Sequence, residues 1–73
     1  MEKIKVGIIG PGNIGQDLMI KLARSPYLDL ACVVGIVESP GLQRARSMGA
    51  DASPDGVDYL IAKHPEVQIV FEA

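Results

Sequence analysis

Three glycines near the start of the sequence constrain the fold of this chain more than any other feature. Gly10, Gly12 and Gly15 follow the pattern Gly-x-Gly-x-x-Gly. The apolar run before them, residues 4–9, predicts a strand that is covered on both faces, as in a parallel sheet. After them, apolar side chains recur at every fourth position from Ile14, which predicts a helix of about three turns. The glycines therefore form a turn between a strand and a helix.

Each glycine of this turn has a physical role in binding a dinucleotide. Gly10 permits the tight turn, Gly12 lets a diphosphate approach bare backbone, and Gly15 lets the helix lie close to the strand. The helix begins near Asn13, which either caps it or contacts the cofactor, and its N–H groups and positive dipole end face the anion. The turn therefore predicts a Rossmann-type site for a nicotinamide dinucleotide, formed by Gly10, Pro11, Gly12, Asn13, Ile14 and Gly15.

The turn has two other interpretations. A nucleoside triphosphate P-loop also separates two glycines by four residues, but it continues with Lys and then Ser or Thr. This chain continues with Gln16 and Asp17, which argues against that site. A glycine-rich turn without a ligand stays open.

Glu38 is the predicted partner of the adenosine ribose. It lies 23 residues after Gly15, close to the usual spacing of about 20 that places an acid after the second strand. An acid at this position favours NAD, because the 2′-phosphate of NADP would meet like charge. Arg44 and Arg46 nearby could soften that preference, but a solvated helix face is the favoured interpretation of both arginines. A solvated loop residue is the alternative interpretation of Glu38.

The rest of the chain alternates between apolar strands and short helices. We expect a second strand over residues 28–37 and a third over 67–71. A helix over 42–48 is predicted to end at Gly49 in a left-handed conformation. The Ser53-Pro54 pair predicts the N-cap and first position of another helix, whose apolar face comprises Val57, Leu60 and Ile61.

These elements predict an α/β fold with a Rossmann-type parallel sheet in the strand order 3-2-1, in which strand 3 is the segment 67–71. In that order strand 1 has no outer neighbour, and natural proteins rarely leave such an edge unpaired. We therefore expect residues 1–73 to be the N-terminal portion of a dinucleotide-binding Rossmann domain. The remainder of that domain and a catalytic and dimerisation domain are expected beyond residue 73.

Composition argues against several classes of function. A formal net charge of −2 and few aromatic residues disfavour nucleic acid, and no apolar run approaches the roughly 20 residues that cross a bilayer. Cys32 is the only cysteine, so no internal disulfide forms and a reducing, cytoplasmic setting is expected. We interpret Cys32 as a small core residue. No group of His, Cys and carboxylate residues has the spacing of metal ligands, so no metal is predicted.

Residues 5–19 resemble the opening of the acylating acetaldehyde dehydrogenases of aromatic-degradation pathways. The string Gly-Asn-Ile-Gly-x-Asp-Leu-Met over residues 12–19 is the specific part of the likeness. Pro11 stands where that family often has serine, and Glu38 lies one place after the family's usual acid. The family's order continues along the chain through residues 34–36, 41–49, 56–57 and 69–73.

The resemblance implies an enzyme that oxidises acetaldehyde with NAD through a cysteine-bound thioester, which coenzyme A cleaves to give acetyl-CoA. It also implies a catalytic cysteine beyond Ala73, a homo-oligomer, and a partner aldolase of the 4-hydroxy-2-oxovalerate type that supplies acetaldehyde. By itself the present segment is expected to be catalytically silent. The residues that carry over as nucleotide contacts are Gly12, Asn13, Ile14 and Gly15, with position 11.

Two alternatives stay open. The chain is also consistent with the N-terminal half of another Rossmann oxidoreductase, such as a semialdehyde, amino-acid or sugar dehydrogenase. It is also consistent with a non-catalytic module that senses NAD. An essential cysteine and dependence on coenzyme A distinguish the acylating enzyme from both.

Overall fold

The computed structural model describes residues 2–73, which form four strands and three helices in strict alternation. The strands are β1 (Ile4–Ile9), β2 (Leu28–Val34), β3 (Asp51–Ser53) and β4 (Ile69–Glu72). The helices are α1 (Asn13–Ala23), α2 (Pro40–Ser47) and α3 (Gly56–Lys63). The strands form one parallel sheet in the order β3-β2-β1-β4. Within residues 2–73, no helix combines the length and apolarity needed to span a membrane.

Apolar side chains cover the sheet on both faces, as the runs in β1 and β2 predict. The larger cluster lies under α1 and α2, and its buried members are Val6, Ile8, Met19, Leu22, Val33, Leu42, Ala45 and Ala52. A smaller cluster lies under α3 and contains Cys32, Val34 and Leu60. Cys32 is fully buried, so its interpretation as a core residue is confirmed.

The apolar stripe of α1 begins one residue later than predicted. Gly15, Met19 and Leu22 are its buried residues, and Leu18 packs beside them. Ile14 instead has 68% of its surface exposed, so its expected place in the core stripe is wrong. Ile14 lies in the first turn of the helix, at the edge of the sheet, so its side chain does not reach the core.

The second strand is shorter than predicted, because it ends at Val34 instead of reaching residue 37. Ile36 and Val37 are exposed. The chain leaves the sheet at Gly35, whose N–H donates to the Ser53 carbonyl at 3.0 Å before the loop turns away.

The second helix begins at Pro40, two residues before its predicted start, because Ser39 provides a cap. The Ser39 hydroxyl accepts a hydrogen bond from the Leu42 N–H, and Pro40 occupies a position where no N–H is needed. Beyond its other end, Gly49 has φ +90°, the left-handed conformation that was predicted.

The Ser53-Pro54 pair does not begin a helix, and that prediction is wrong. Ser53 is the last residue of β3, and its hydroxyl accepts from the Asp55 N–H at 3.1 Å. Helix α3 begins at Gly56, with Asp55 at the N-cap. A strand of three residues is too short to produce a readable alternation. Of the predicted apolar face Val57, Leu60 and Ile61, Leu60 is buried and the other two are exposed.

The Rossmann-type α/β class is confirmed, but a different segment occupies the third place of the sheet. That place belongs to β3, which pairs with β2. The segment predicted as strand 3 contains β4, which pairs with β1 from Val6 opposite Ile69 to Ile9 opposite Glu72. The expectation that β1 has no outer neighbour is therefore wrong, and it no longer supports the inference of a longer chain. The error follows from the missed strand β3.

Candidate functional site

The glycine turn leaves the carboxyl end of β1 and is held by both neighbouring strands. The Gly10 N–H donates to the Val34 carbonyl at 2.9 Å, and the Ala73 N–H donates to the Ile9 carbonyl at 2.8 Å. Gly10 has φ +104°, and a Cβ there would lie 2.5 Å from the Ala73 carbonyl oxygen. Only glycine fits this conformation and this close approach without strain.

Gly15 brings α1 against the turn. A Cβ at this position would lie 2.0 Å from the Gly10 carbonyl oxygen, well inside contact distance. Any side chain at Gly15 would therefore push the helix away from the strand that precedes it. This is the close approach that the glycine pattern predicts.

Gly12 differs from the other two glycines because space lies in front of it. It is exposed, and apart from its immediate neighbours along the chain, a Cβ at this position would meet no heavy atom of residues 2–73 within 4 Å. Gly12 is the N-cap of α1, and the first helical hydrogen bond runs from the Gln16 N–H to the Gly12 carbonyl at 2.9 Å. The amides that precede Gln16 in the first turn have no helical acceptor. Such a turn can receive an anion.

Asn13 and Ile14 are the first two residues of α1, and both are exposed. Among the described residues no side chain caps this helix, so the interpretation of Asn13 as a cap is wrong. A cofactor contact is the interpretation that remains for Asn13. Ile14 places an apolar side chain beside the open space at Gly12.

Pro11 lies between two glycines that the sequence analysis did not single out. Cβ atoms built at Gly35 and Gly41 would lie 3.0 Å from the Pro11 ring and 2.0 Å from its carbonyl oxygen, respectively. The loop after β2 and the start of α2 therefore lie directly against the turn. Their positions in the sequence could have indicated this contact, because Gly35 directly follows the second strand and Gly41 directly follows Pro40.

Glu38 lies in the loop after β2, four residues beyond the end of the strand. Arg46 of α2 donates to both of its carboxylate oxygens, at 2.8 and 2.9 Å, and also donates to the Ala52 carbonyl at 3.1 Å. The hydrogen bonds from Arg46 hold the pKa of Glu38 below its usual range. Each carboxylate oxygen keeps a further lone pair, so an ionised and oriented Glu38 can still accept from hydroxyl groups.

A cavity of about 200 Å³ lies away from the glycine turn. Its lining includes Leu28, Asp29 and Leu30, the first residues of β2, together with the last residues of α1. In open α/β sheets, ligands bind outside the carboxyl ends of the strands. The cavity lies at the opposite end, so we place the candidate site at the glycine turn.

Curated relatives align with the whole chain. Acetaldehyde dehydrogenase 6 of Rhodococcus jostii is 53% identical and covers 100% of it, and acetaldehyde dehydrogenase of Leptothrix cholodnii is 57% identical with the same coverage. The chain matches the N-terminal quarter of acetaldehyde dehydrogenases. It spans 24% and 25% of the length of these two relatives. The resemblance of residues 5–19 to acetaldehyde dehydrogenases therefore extends over the whole chain, although no family model matches the chain.

A solved structure has the same fold. Myo-inositol dehydrogenase from Lactobacillus casei, in complex with NAD(H) and myo-inositol, superposes with a TM-score of 0.78 and 24% sequence identity. The match covers 99% of this chain and 22% of that one. Residues 2–73 therefore share the Rossmann-type fold of the matched part of that structure.

Proposed function

We propose that this chain is the NAD-binding segment of an acylating acetaldehyde dehydrogenase, which converts acetaldehyde, NAD and coenzyme A to acetyl-CoA and NADH. The observation that carries the proposal is the open, uncapped first turn of α1 at Gly12. The similarity to acetaldehyde dehydrogenases along the whole chain supports the choice of reaction. In this proposal residues 1–73 are the first part of the Rossmann domain, and the acyl pocket lies in a later part of the enzyme.

The turn holds the diphosphate through backbone groups. Pro11 has no N–H, so the amides of Gly12, Asn13 and Ile14 face the anion together with the positive end of the α1 dipole. Glu38 accepts hydrogen bonds from the adenosine ribose hydroxyls. Because its carboxylate is ionised, the 2′-phosphate of NADP is disfavoured and NAD is the expected cofactor.

Cys32 does not serve as the nucleophile of this reaction. It is fully buried, and burial, followed by the charge of Asp51, raises the pKa of its thiol to about 12. A reactive cysteine needs a thiolate that is accessible to substrate. The thioester therefore forms on a cysteine outside residues 1–73, and the present segment supplies cofactor binding without catalysis.

The same proposal includes the partners of the whole enzyme. Acetaldehyde is released by an aldolase that acts on a 4-hydroxy-2-oxovalerate type substrate, and the enzyme assembles as a homo-oligomer. We place it in the cytoplasm, where a lone thiol such as Cys32 stays reduced. Co-purification of the aldolase with the enzyme that carries this chain tests the partnership.

The reaction is tested on the enzyme that carries this chain, with acetaldehyde, NAD and coenzyme A. We expect one acetyl-CoA for each NADH, no NADH without coenzyme A, and slower turnover with NADP. Coenzyme A-independent oxidation of a sugar, amino acid or semialdehyde would contradict the proposal in favour of another oxidoreductase. NAD binding without turnover of any of these substrates would contradict it in favour of a sensing module.

A further inference from the structure

Three different metal-ligand side chains meet under α3, away from the glycine turn. They are Cys32 of β2, Asp51 of β3 and His64 at the C-cap of α3. One ligand atom from each lies within 4.8 Å of the other two. Because these residues are far apart in the sequence, their spacing along the chain gives no sign of the cluster.

An irregularity in β2 places Cys32 on this face of the sheet. In the register with β1, Val6 pairs with Leu30 but Gly7 pairs with Cys32, so Ala31 is an extra residue. Leu30 packs on the cluster under α1 and α2, whereas Cys32 packs with Leu60 of α3. Without the extra residue, strict alternation would direct Cys32 to the same face as Leu30.

The orientation of His64 is that of a metal-binding imidazole. Its Nε2 lies 2.7 Å from Oδ2 of Asp51, and its Nδ1 lies 2.7 Å from Oε2 of Glu66. Metal-bound histidines commonly donate the N–H of the other ring nitrogen to a carboxylate, which fixes the tautomer and the ring. In the tautomer that carries the hydrogen on Nδ1, Glu66 accepts that hydrogen and the Nε2 lone pair faces the Asp51 carboxylate, so a positive charge is needed between those two atoms.

A proton or a metal ion can supply that positive charge. A divalent ion would offset the carboxylate and a Cys32 thiolate at the same time. The Asp51 side chain is 40% exposed and the His64 side chain 14% exposed, so an ion can reach the cluster from solvent on this side.

We propose that Cys32, Asp51 and His64 form a zinc site. Thiolate, imidazole and carboxylate are the ligands that Zn²⁺ takes, and three protein ligands leave one of its four positions for water. Tetrahedral zinc bonds separate such ligand atoms by about 3.3–3.6 Å, so the cluster adjusts by about 1 Å to bind the ion. The thiol loses its proton to solvent as the zinc–sulfur bond forms. Glu66 is a positioning residue that holds the His64 ring.

The test uses Zn²⁺ and Co²⁺ titrations of the full 73-residue chain. Because the sequence has one cysteine and one histidine, a thiolate-to-cobalt charge-transfer absorption identifies Cys32 as a ligand. We expect one ion per chain, displacement of Co²⁺ by Zn²⁺, and loss of the absorption in Cys32→Ala. Glu66→Gln should keep the absorption but weaken binding by about tenfold or more. Asp58→Asn, a control in the first turn of α3, should change neither property.

Two further variants keep the test decisive if Cys32→Ala does not fold. Asp51→Asn and His64→Gln alter less buried residues, and each should weaken Co²⁺ binding by more than Glu66→Gln while the circular dichroism spectrum is retained. A wild-type chain without the charge-transfer absorption would overturn the proposal. Equal Co²⁺ affinity in wild type and His64→Gln would overturn it as well.

Discussion

Helices α1 and α2 both begin at the carboxyl edge of the sheet, and their first turns are built differently. Helix α1 follows Gly12, which has no side chain and faces open space. Helix α2 follows Ser39, whose hydroxyl accepts from the Leu42 N–H, and its first residue is Pro40. Both N-cap residues have extended backbone, with ψ −163° at Gly12 and 163° at Ser39. The difference therefore lies in the side chains.

This difference separates a helix end that serves the fold from one that can serve a ligand. The first amides of α2 are partly satisfied by Ser39, and Pro40 removes one donor, so that turn needs little else. The first amides of α1 need water or an anion. Glycine at an N-cap is only a few tenths of a kcal/mol less stabilising than a capping side chain, so the open turn has a small cost in stability.

The largest effect is expected from Gly15→Ala, which tests whether α1 is held against the turn. Alanine favours a helix interior by about 1 kcal/mol relative to glycine. Here, however, its Cβ would lie 2.0 Å from the Gly10 carbonyl oxygen. We expect the free energy of unfolding, measured by urea denaturation, to fall by about 2–3 kcal/mol.

Gly12→Ala is the matched control, because the same methyl group enters open space there. It should change the free energy of unfolding by less than about 1 kcal/mol. Equal losses in the two variants would mean that the close approach of α1 to Gly10 does not hold the turn.

Ser39→Ala tests the other helix end. The cap bond is long, at 3.4 Å, so its loss should lower the free energy of unfolding by about 0.5–1 kcal/mol. NAD affinity, measured by calorimetry on the enzyme that carries this chain, should stay within about twofold of wild type, since the first turn of α2 does not bind the diphosphate. If Ser39→Ala lost as much NAD affinity as a Gly12 variant does, the N-termini of α1 and α2 could not be assigned different roles.

The smallest effect concerns Glu38, which joins the loop before α2 to Arg46 within that helix. Because the pKa of Glu38 is lowered, its interaction with Arg46 is complete above the ordinary glutamate pKa. The interaction is lost as the pH falls through the lowered value. Arg46→Gln should raise the pKa of Glu38 toward 4.5, the usual value, and an NMR titration measures this change. An unchanged pKa would show that the ion pair does not form in solution.

The glycine turn could be predicted from the sequence because its pattern is local. The positive φ of Gly10 and the contact at Gly15 follow from a strand, a turn and a helix that are consecutive in the chain. Strands β1 and β2 could be predicted for the same reason, since each is an apolar run.

The features that could not be predicted depend on contacts between distant segments. Strand β3 has three residues, too few for a recognisable pattern. Because β3 was not predicted, the last strand was predicted to pair with β2, whereas it pairs with β1. Two contacts depend on the order of the strands in the sheet and could not be predicted without it. One joins Pro11 to Gly35 and Gly41, and the other joins Cys32 to His64. Ile14 is exposed because it lies in the first turn of α1, at the edge of the sheet.

The most direct test of the account converts the end of α1 into one like that of α2. Gly12→Asp provides a capping carboxylate on backbone that is already extended, and it places negative charge where the diphosphate would lie. We predict that the free energy of unfolding stays constant or rises by a few tenths of a kcal/mol, while NAD affinity falls by at least about 100-fold. NAD affinity within threefold of wild type in a folded Gly12→Asp variant would contradict the account.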